Sequence, residues 1–400
     1  KDASQMIDPI YPPLPNVRSI LALRPNAIGD FMFSLPALHA LRHTYPQARI
    51  TLLGKQWHAD FLRNRPSPVD EVIVMPPAPG VGAPPDAELD PEPGRRFVAA
   101  MRDARFDLAV QMYGGGRYSN AYILGLGAKL TIGLKTPEAA PLDRWLPYGE
   151  VSNRRLELLQ VAALAGAQPP LMTRELSVTE QDRREAAALI PFTSGERIVV
   201  LHPGASDVRR HWPAERFAAV ADVLASQGAI IAISATEGER HLARTIVEHM
   251  RHDALDLTGK LSLSGLCGLL DRAVMMISND TGPLHLALSI GTPTVGIFWL
   301  TNLLEAHPLR QHLLRPALSV RTHCPVCGAE NRKSRCEHDV CFVDDVTVAE
   351  VTALATELFG EAVSADRPAV AVPVPAPHVP YHRPHPGYSG AAARPAAPSA

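Results

Sequence analysis

Four hundred residues, 46% of them hydrophobic, are too many for one ordinary core and too apolar for a disordered chain, so two globular domains are expected. Lys and Arg total 39 against 41 Asp and Glu, a formal charge of −2, which removes the broad positive surface of a general nucleic-acid binder. No run approaches the roughly 20 apolar residues that span a bilayer, and the opening Lys1-Asp2-Ala3-Ser4 lacks the apolar core of a signal peptide, so the expectation is a cytoplasmic protein.

The predicted elements alternate in type. Ser19 to Leu23 reads as a short apolar strand, and Phe31 to His43 then carries helical apolar spacing. Strand 49–53, helix 57–63, strand 71–75, helix 95–104 and strand 108–112 follow. A Pro/Gly-rich stretch from Pro76 to Gly94 interrupts them, and loops of that length are more often functional lids than accidents. Gln168-Pro169-Pro170 breaks helix within a connector over 167–174. The alternation restarts with strand 197–201, helix 213–227, strand 229–234, helix 237–249, strand 256–258, helix 263–272, strand 274–278, helix 283–290 and strand 294–298. Strands alternating with helices imply parallel sheets with crossover helices, hence two doubly wound α/β domains. From Val363 to Ala400 the chain holds nine of its 38 prolines, the composition of a disordered tail.

In open α/β sheets ligands bind beyond the C-terminal ends of strands, so the chemistry is sought there. Arg24 to Asp30 follows the first strand and opens a helix, with Gly29 allowing close backbone approach. Asp30 faces the expected cleft, although an Asp at a helix start is more often an N-cap. Leu201-His202-Pro203-Gly204-Ala205-Ser206-Asp207-Val208-Arg209-Arg210 again joins strand to helix. Its small residues, hydroxyl and paired guanidinium groups suit an anion such as phosphate. Ile277 to His285 runs from strand through Asn279, Asp280, Thr281 and Gly282 to Pro283, which directs backbone N–H groups into the cleft. His285 taken alone reads as a packing histidine.

Together these segments resemble glycosyltransferase family 9, the lipopolysaccharide heptosyltransferases. The resemblance runs over nearly all of 19–358. It rests on Ile28-Gly29-Asp30 with Ser34-Leu35-Pro36-Ala37-Leu38, on Phe106-Asp107-Leu108 with Gly114 to Ser119, and on His202-Pro203-Gly204 with His211-Trp212-Pro213. Ser278 to Ala287 with Gly291-Thr292-Pro293 is the most specific piece. The resemblance implies a GT-B architecture of two Rossmann-like domains facing a cleft, an acceptor domain over 16–170 and a nucleotide-sugar domain over 175–345. A C-terminal helix over 346–360 would return to the first domain. It also implies an inverting transfer without a catalytic cofactor or metal, from a nucleotide sugar, with ADP-heptose favoured, to a glycan or lipid-linked acceptor. Work at the inner face of the inner membrane would involve peripheral contact at most.

By position, the resemblance makes Asp30 the general base and Asp280, Thr281 and Gly282 the nucleotide-sugar loop. Arg210 matches the diphosphate contact. Gly204, Ser206, Arg209 and His285 join the donor site, with Ser206 favoured because Ala205 stands where some relatives have a hydroxyl. Glu237, preferred slightly over Glu239, would accept from ribose hydroxyls. Arg117, in the glycine-rich loop, is a candidate for an anionic acceptor. The chemistry is coherent: a base takes the acceptor proton while positive charge receives the departing diphosphate. No Asp-x-Asp pair stands at a strand end to hold Mg²⁺.

Four of five cysteines fall in Cys324-x2-Cys327-x8-Cys336-x4-Cys341, which in a cytosolic protein reads as a structural zinc or iron knuckle more than as disulfides, although the second pair is wider than the usual zinc spacing and free thiols are the alternative. His323 and His338 compete as ligands, and some relatives carry a four-cysteine iron finger. Cys267 stands apart as a small core residue. A nicotinamide dehydrogenase is excluded by the absence of Gly-x-Gly-x-x-Gly after the first strand. A sugar-nucleotide epimerase or hydrolase on the same fold, and a non-catalytic nucleotide-binding assembly partner, remain as alternatives.

Overall fold

The computed structural model describes residues 11–149, 151–190, 195–331 and 335–364. In the first lobe the chain runs β1 (Ser19–Leu23), α1 (Ile28–Thr44), β2 (Arg49–Gly54), α2 (Gln56–Leu62), β3 (Glu71–Val74), β4 (Ala78–Pro79), β5 (Gly82–Ala83), α3 (Pro91–Ala104), β6 (Leu108–Gln111), α4 (Ser119–Gly125), β7 (Leu130–Lys135), β8 (Arg144–Pro147) and α5 (Arg154–Ala163). The second lobe comprises α6 (Glu180–Leu189), β9 (Ile198–His202), α7 (Ala214–Ser226), β10 (Ile230–Ile233), α8 (Arg240–His249), β11 (Ala254–Asp256), α9 (Leu263–Arg272), β12 (Met275–Asn279), α10 (Gly282–Ile290), β13 (Thr294–Trp299), α11 (Leu300–Ala306), β14 (Leu314–Ser319) and α12 (Val348–Ser364).

Both main sheets are six-stranded and parallel, ordered β3-β2-β1-β6-β7-β8 and β11-β10-β9-β12-β13-β14. Each order reverses at its centre, between β1 and β6 and between β9 and β12. The loops leaving those strands therefore diverge and open a crevice, which is where doubly wound sheets bind ligands. The two α/β halves expected from the sequence are thus present. Burial explains the strand composition: Ile20 to Leu23 and Ile198 to Leu201 are wholly enclosed, because helices cover both faces.

Helix α1 is buried nearly all round, from Phe31 through Leu41, because it lies between its own sheet, α5 and α10 of the second lobe. A buried pair also ties the lobes, Arg65 donating to both oxygens of Asp182 at 2.6 and 2.9 Å. The Pro76 to Gly94 segment is anchored, with Ala78 and Val81 bonding each other and Val81 packed in the core with Met75 and Phe97.

One expectation needs correction. The C-terminal helix does not return to the first lobe: α12 lies on α7 and on β12, β13 and β14. Its Val351, Ala355, Leu358 and Phe359 share a core with Phe217 and Ile297. Its apolar stripe covers a face of the second sheet that would otherwise meet water. Of the expected tail, only 363–364 fall among the described residues, where they end α12; the rest lies outside them. No helix among the described residues is long and apolar enough to cross a membrane.

Candidate active site

The site forms where the loops leaving β1, β6, β9 and β12 face one another. The N-terminal ends of α1 and α10 meet there. A Cβ added to Gly29 would lie 3.2 Å from His285 Cδ2, and one added to Gly282 would lie 3.3 Å from Ile28 Cβ. Glycine at both positions is what permits this approach. The first turn of each helix leaves backbone N–H groups without helical partners, so the junction carries partial positive charge from both sides.

On the first-lobe side, a cavity of about 200 Å³ is lined by Arg24, Asn26, Asp30, Gly114, Tyr148, Arg154 and Glu157, among others. Asp30 belongs to the first turn of α1 and does not cap it, since Ala27 holds that position. Its side chain is 46% exposed and has one long contact, Arg24 Nη2 at 3.5 Å. The buried Arg24 instead holds the Asp30 carbonyl, from Nε at 2.9 Å and Nη2 at 2.6 Å, and donates to the Met112 carbonyl. The helix start is thereby fixed while the carboxylate remains available. Asn26 Oδ1 is buried without a hydrogen-bond partner. The far wall is a network in which Arg154 donates to Glu157 at 2.8 Å and covers the Tyr148 ring, 4.6 Å from its centre.

On the second-lobe side, Asp280 is the hub. Its Oδ1 lies 2.9 Å from His285 Nε2, and its Oδ2 accepts from Arg210 Nη1 at 3.0 Å and Asn302 Nδ2 at 2.7 Å. Burial alone would raise this carboxyl. The bonds and charges of His285, Arg210 and Asn302 prevail and hold it at about 2. His285 is shifted the other way, below the ordinary histidine value, because burial outweighs the attraction of Asp280. It is therefore neutral at pH 7 and serves as a donor to the carboxylate. Arg210 also donates to the Asp280 carbonyl at 3.0 Å and to Ser206 Oγ at 2.9 Å, so its guanidinium spans the gap between the β9 and β12 loops. Asn279 fastens the same loops together, donating to the Pro203 carbonyl at 2.6 Å and accepting from the Trp212 N–H at 3.2 Å.

The structure brings Gly204, Ser206, Arg210, Asp280, Thr281 and Gly282 to one end of the second sheet, with Asp30 across the junction. Other expected residues are placed differently. His285 is buried beneath the loop as a support for Asp280. Arg209 is drawn onto Asp207, at 2.6 Å, and onto Asn331. Glu237 pairs with Arg240 at 2.6 Å, whereas Glu239 Oε1 would lie 1.9 Å from a Cβ on Gly204. Glu239 is thus the carboxylate packed over Gly204, while Glu237 is turned to Arg240. Arg117 is exposed, 5.5 Å from the Tyr118 ring centre, and does not line the cavity.

The cysteine set is also revised. Donor atoms of Cys324, Cys327, Cys336 and His338 all lie within 4.8 Å of one another. Cys341 is not in the group; its thiol donates to the His211 carbonyl at 3.0 Å. The chain places His338 nearer to the other three ligands than the cysteine three residues on. A tetrahedral Zn²⁺ with thiolates at 2.3 Å needs sulfurs about 3.8 Å apart, a modest contraction of this group. His338 Nδ1 is buried without a hydrogen-bond partner, as a waiting ligand would be. Bonds from the His338 backbone and side chain and from Asn331 lower the Cys336 thiol to about 6. The four residues fit a structural metal of the zinc class.

Sequence reasoning missed Arg24, Tyr148, Arg154, Glu157 and Asn302 as site residues. A strand ending in Arg is a weak signal, and β8 and α5 carry no motif. Comparison with known proteins agrees with the geometry. Residues 95–333 match the model of glycosyltransferase family 9 (heptosyltransferase). The chain belongs to this family and is a glycosyltransferase. Among curated relatives, lipopolysaccharide core heptosyltransferase OpsX of Haemophilus influenzae is 23% identical over 307 residues, 73% of this chain and 82% of the relative. A family 9 glycosyltransferase from Veillonella parvula superposes with TM-score 0.70 at 20% identity, over 86% of this chain and 97% of its own. The E. coli ADP-heptose lipopolysaccharide heptosyltransferase II does so with TM-score 0.65 at 20% identity, over 86% and 99%.

Proposed function

We propose that this chain transfers heptose from ADP-heptose to a hydroxyl of a lipopolysaccharide-core or related glycan acceptor, with inversion and without a catalytic metal. The observation that carries this reading is Asp30, a half-exposed carboxylate in the first-lobe cavity, standing across the α1–α10 junction from Arg210. The acceptor hydroxyl, seated among Asn26, Tyr148 and Arg154, attacks the anomeric carbon as its proton passes to Asp30. The bond from that carbon to the β-phosphate oxygen breaks. The charge that develops on the leaving ADP meets Arg210 and the N–H groups that open α10. Attack from the lobe opposite the leaving group inverts the configuration. Relatives named for lipopolysaccharide and for ADP-heptose supply the donor and acceptor class. A lipid-linked acceptor would place the enzyme at the inner face of the inner membrane, in the cytoplasm. Cys324, Cys327, Cys336 and His338 would hold a structural zinc or iron, remote from this chemistry.

The test is Asp30→Asn assayed with ADP-heptose, with and without acceptor. Turnover should fall about 10²-fold or more while ADP binding is unchanged. Near-wild-type turnover would remove Asp30 as base. Donor consumption by the wild type without acceptor would point to a hydrolase or epimerase instead.

A further inference from the structure

We infer that the metal finger braces the diphosphate loop, and that Asn331 is the positioning residue through which it does so. The inference rests on the reading of Cys324, Cys327, Cys336 and His338 as a metal site.

The finger has little to hold it in shape by itself. Among its described residues between His323 and Cys341 the only strand-like pairing is the His323–Glu330 bridge, and Val326 and Cys327 are exposed. What order it has gathers around the cysteines. The Gly328 N–H returns to the Cys324 carbonyl at 2.9 Å, the Cys324 N–H donates to the Ala329 carbonyl at 2.9 Å, and Asn331 Nδ2 faces the Cys336 thiol. In such a segment, metal binding and local folding are one equilibrium.

Asn331 occupies the join. Its Oδ1 accepts from the Cys336 N–H at 3.2 Å and from Arg209 Nη1 at 3.4 Å. Its Nδ2 donates to the Ala329 carbonyl at 3.0 Å and faces Cys336 Sγ at 3.6 Å. One amide thus touches a metal ligand on one side and the donor loop on the other, the arrangement by which outer contacts orient ligands and are oriented by them. Beyond the finger the chain comes back to the same loop. The Phe342 N–H donates to the Arg209 carbonyl at 2.7 Å, and the Cys341 thiol donates to the His211 carbonyl at 3.0 Å. The finger side therefore pins the residues before and after Arg210. Between them Arg210 is left one direction, toward Ser206 and Asp280. This also accounts for Arg209, whose charge is spent on Asp207 and Asn331.

The experiment measures metal content, and the affinities of ADP and of adenosine by calorimetry. It compares the purified wild type, the wild type stripped with a chelator, Asn331→Ala, Cys341→Ala and Cys341→Ser. The wild type should hold one metal per chain, and stripping should weaken ADP about tenfold while changing adenosine little. Asn331→Ala and Cys341→Ala should keep the metal and weaken ADP about fivefold. Cys341→Ser, which retains a donor for the His211 carbonyl, should recover most of that loss. Chelation of Asn331→Ala should cost less than chelation of the wild type, since the link is already cut. If both alanine variants keep metal and bind ADP like the wild type, the brace is overturned and the metal site stands. Wild type purified without metal would overturn the metal reading itself.

Discussion

Asp30 and Asp280 each lie just past a central strand and face the same cleft, yet their surroundings are opposite. The Asp30 side chain is 46% exposed, with one contact at 3.5 Å. The Asp280 side chain is 6% exposed, with His285, Arg210 and Asn302 all within 3.0 Å. A carboxylate that must take a proton cannot have its lone pairs already committed, whereas one that positions a cation must. The first lobe immobilises the backbone of its aspartate through Arg24 and leaves the side chain available. The second lobe immobilises the side chain and uses it to aim Arg210.

The largest expected effect separates the two directly. Asp280→Ala leaves Arg210 and Asn302 without their shared acceptor in a buried setting, so stability measured by urea unfolding should fall by about 3–5 kcal/mol. Asp30→Ala should leave stability within about 0.5 kcal/mol of wild type. Comparable losses would break the distinction between available and committed carboxylates.

A second prediction concerns pH. His58, buried under α1 against Phe31 and Trp57, is lowered by burial from the ordinary 6.5 to about 4. Below 6.5 the unfolded chain takes a proton that the folded chain refuses, so stability falls as pH drops through the window from 6.5 to about 4. The contribution at stake is about 3 kcal/mol. His58→Asn, which can still accept from the Lys55 N–H, should reduce the slope of that part of the profile in melting experiments. Asp280, held at about 2, is shifted in the same direction but titrates lower: its contribution is fully present above the ordinary carboxylate range and is lost only as the pH falls through that range toward 2. The histidine window also holds the contribution of His285 in the second lobe, likewise lowered by burial, so His58→Asn should remove only part of the acid sensitivity above pH 4, whereas the Asp280 carboxylate is untouched until lower pH.

Third, Arg210→Ala removes charge-assisted bonds that the diphosphate would share. ADP should bind about 1.5–3 kcal/mol more weakly by calorimetry, with adenosine little changed. Equal weakening of both would indicate a damaged lobe rather than a lost phosphate contact. The smallest effect is expected for Arg117→Ala, within about 0.5 kcal/mol in stability. Its acceptor KM should also be unchanged, because this exposed residue does not line the cavity. A raised acceptor KM would extend the acceptor site beyond the cavity.

How far the site is legible from sequence differs between the lobes for the same reason. The second-lobe loops are contiguous motifs: Gly204 to Arg210 and Asp280 to Gly282 each leave a strand and open a helical turn, so strand-end logic locates them. The first-lobe wall is assembled from distant segments. Tyr148 and Arg154 meet Asp30 only because β8 joins the far edge of the sheet and α5 crosses back onto α1. Those elements are short and carry no turn chemistry that marks them. A detail of one turn separates Glu237 from Glu239. A capping box turns Glu239 back onto Thr236 and over Gly204, which leaves Glu237 to Arg240.

The sequence by itself determined the two parallel sheets and the loops that leave their strand ends, because apolar periodicity and strand-end polarity are local properties; singling out Asp30 took the family resemblance as well. Tertiary structure decided the rest. It placed α12 on the second sheet, where an uncovered apolar face was nearer than the first lobe. It exchanged Cys341 for His338 in the metal group, since the knuckle and the returning chain fix which side chains converge. It also left the Asp30 carboxylate available and the Asp280 carboxylate committed, because availability depends on how many donors the packed neighbours bring within reach of a carboxylate, and residue type alone does not record that.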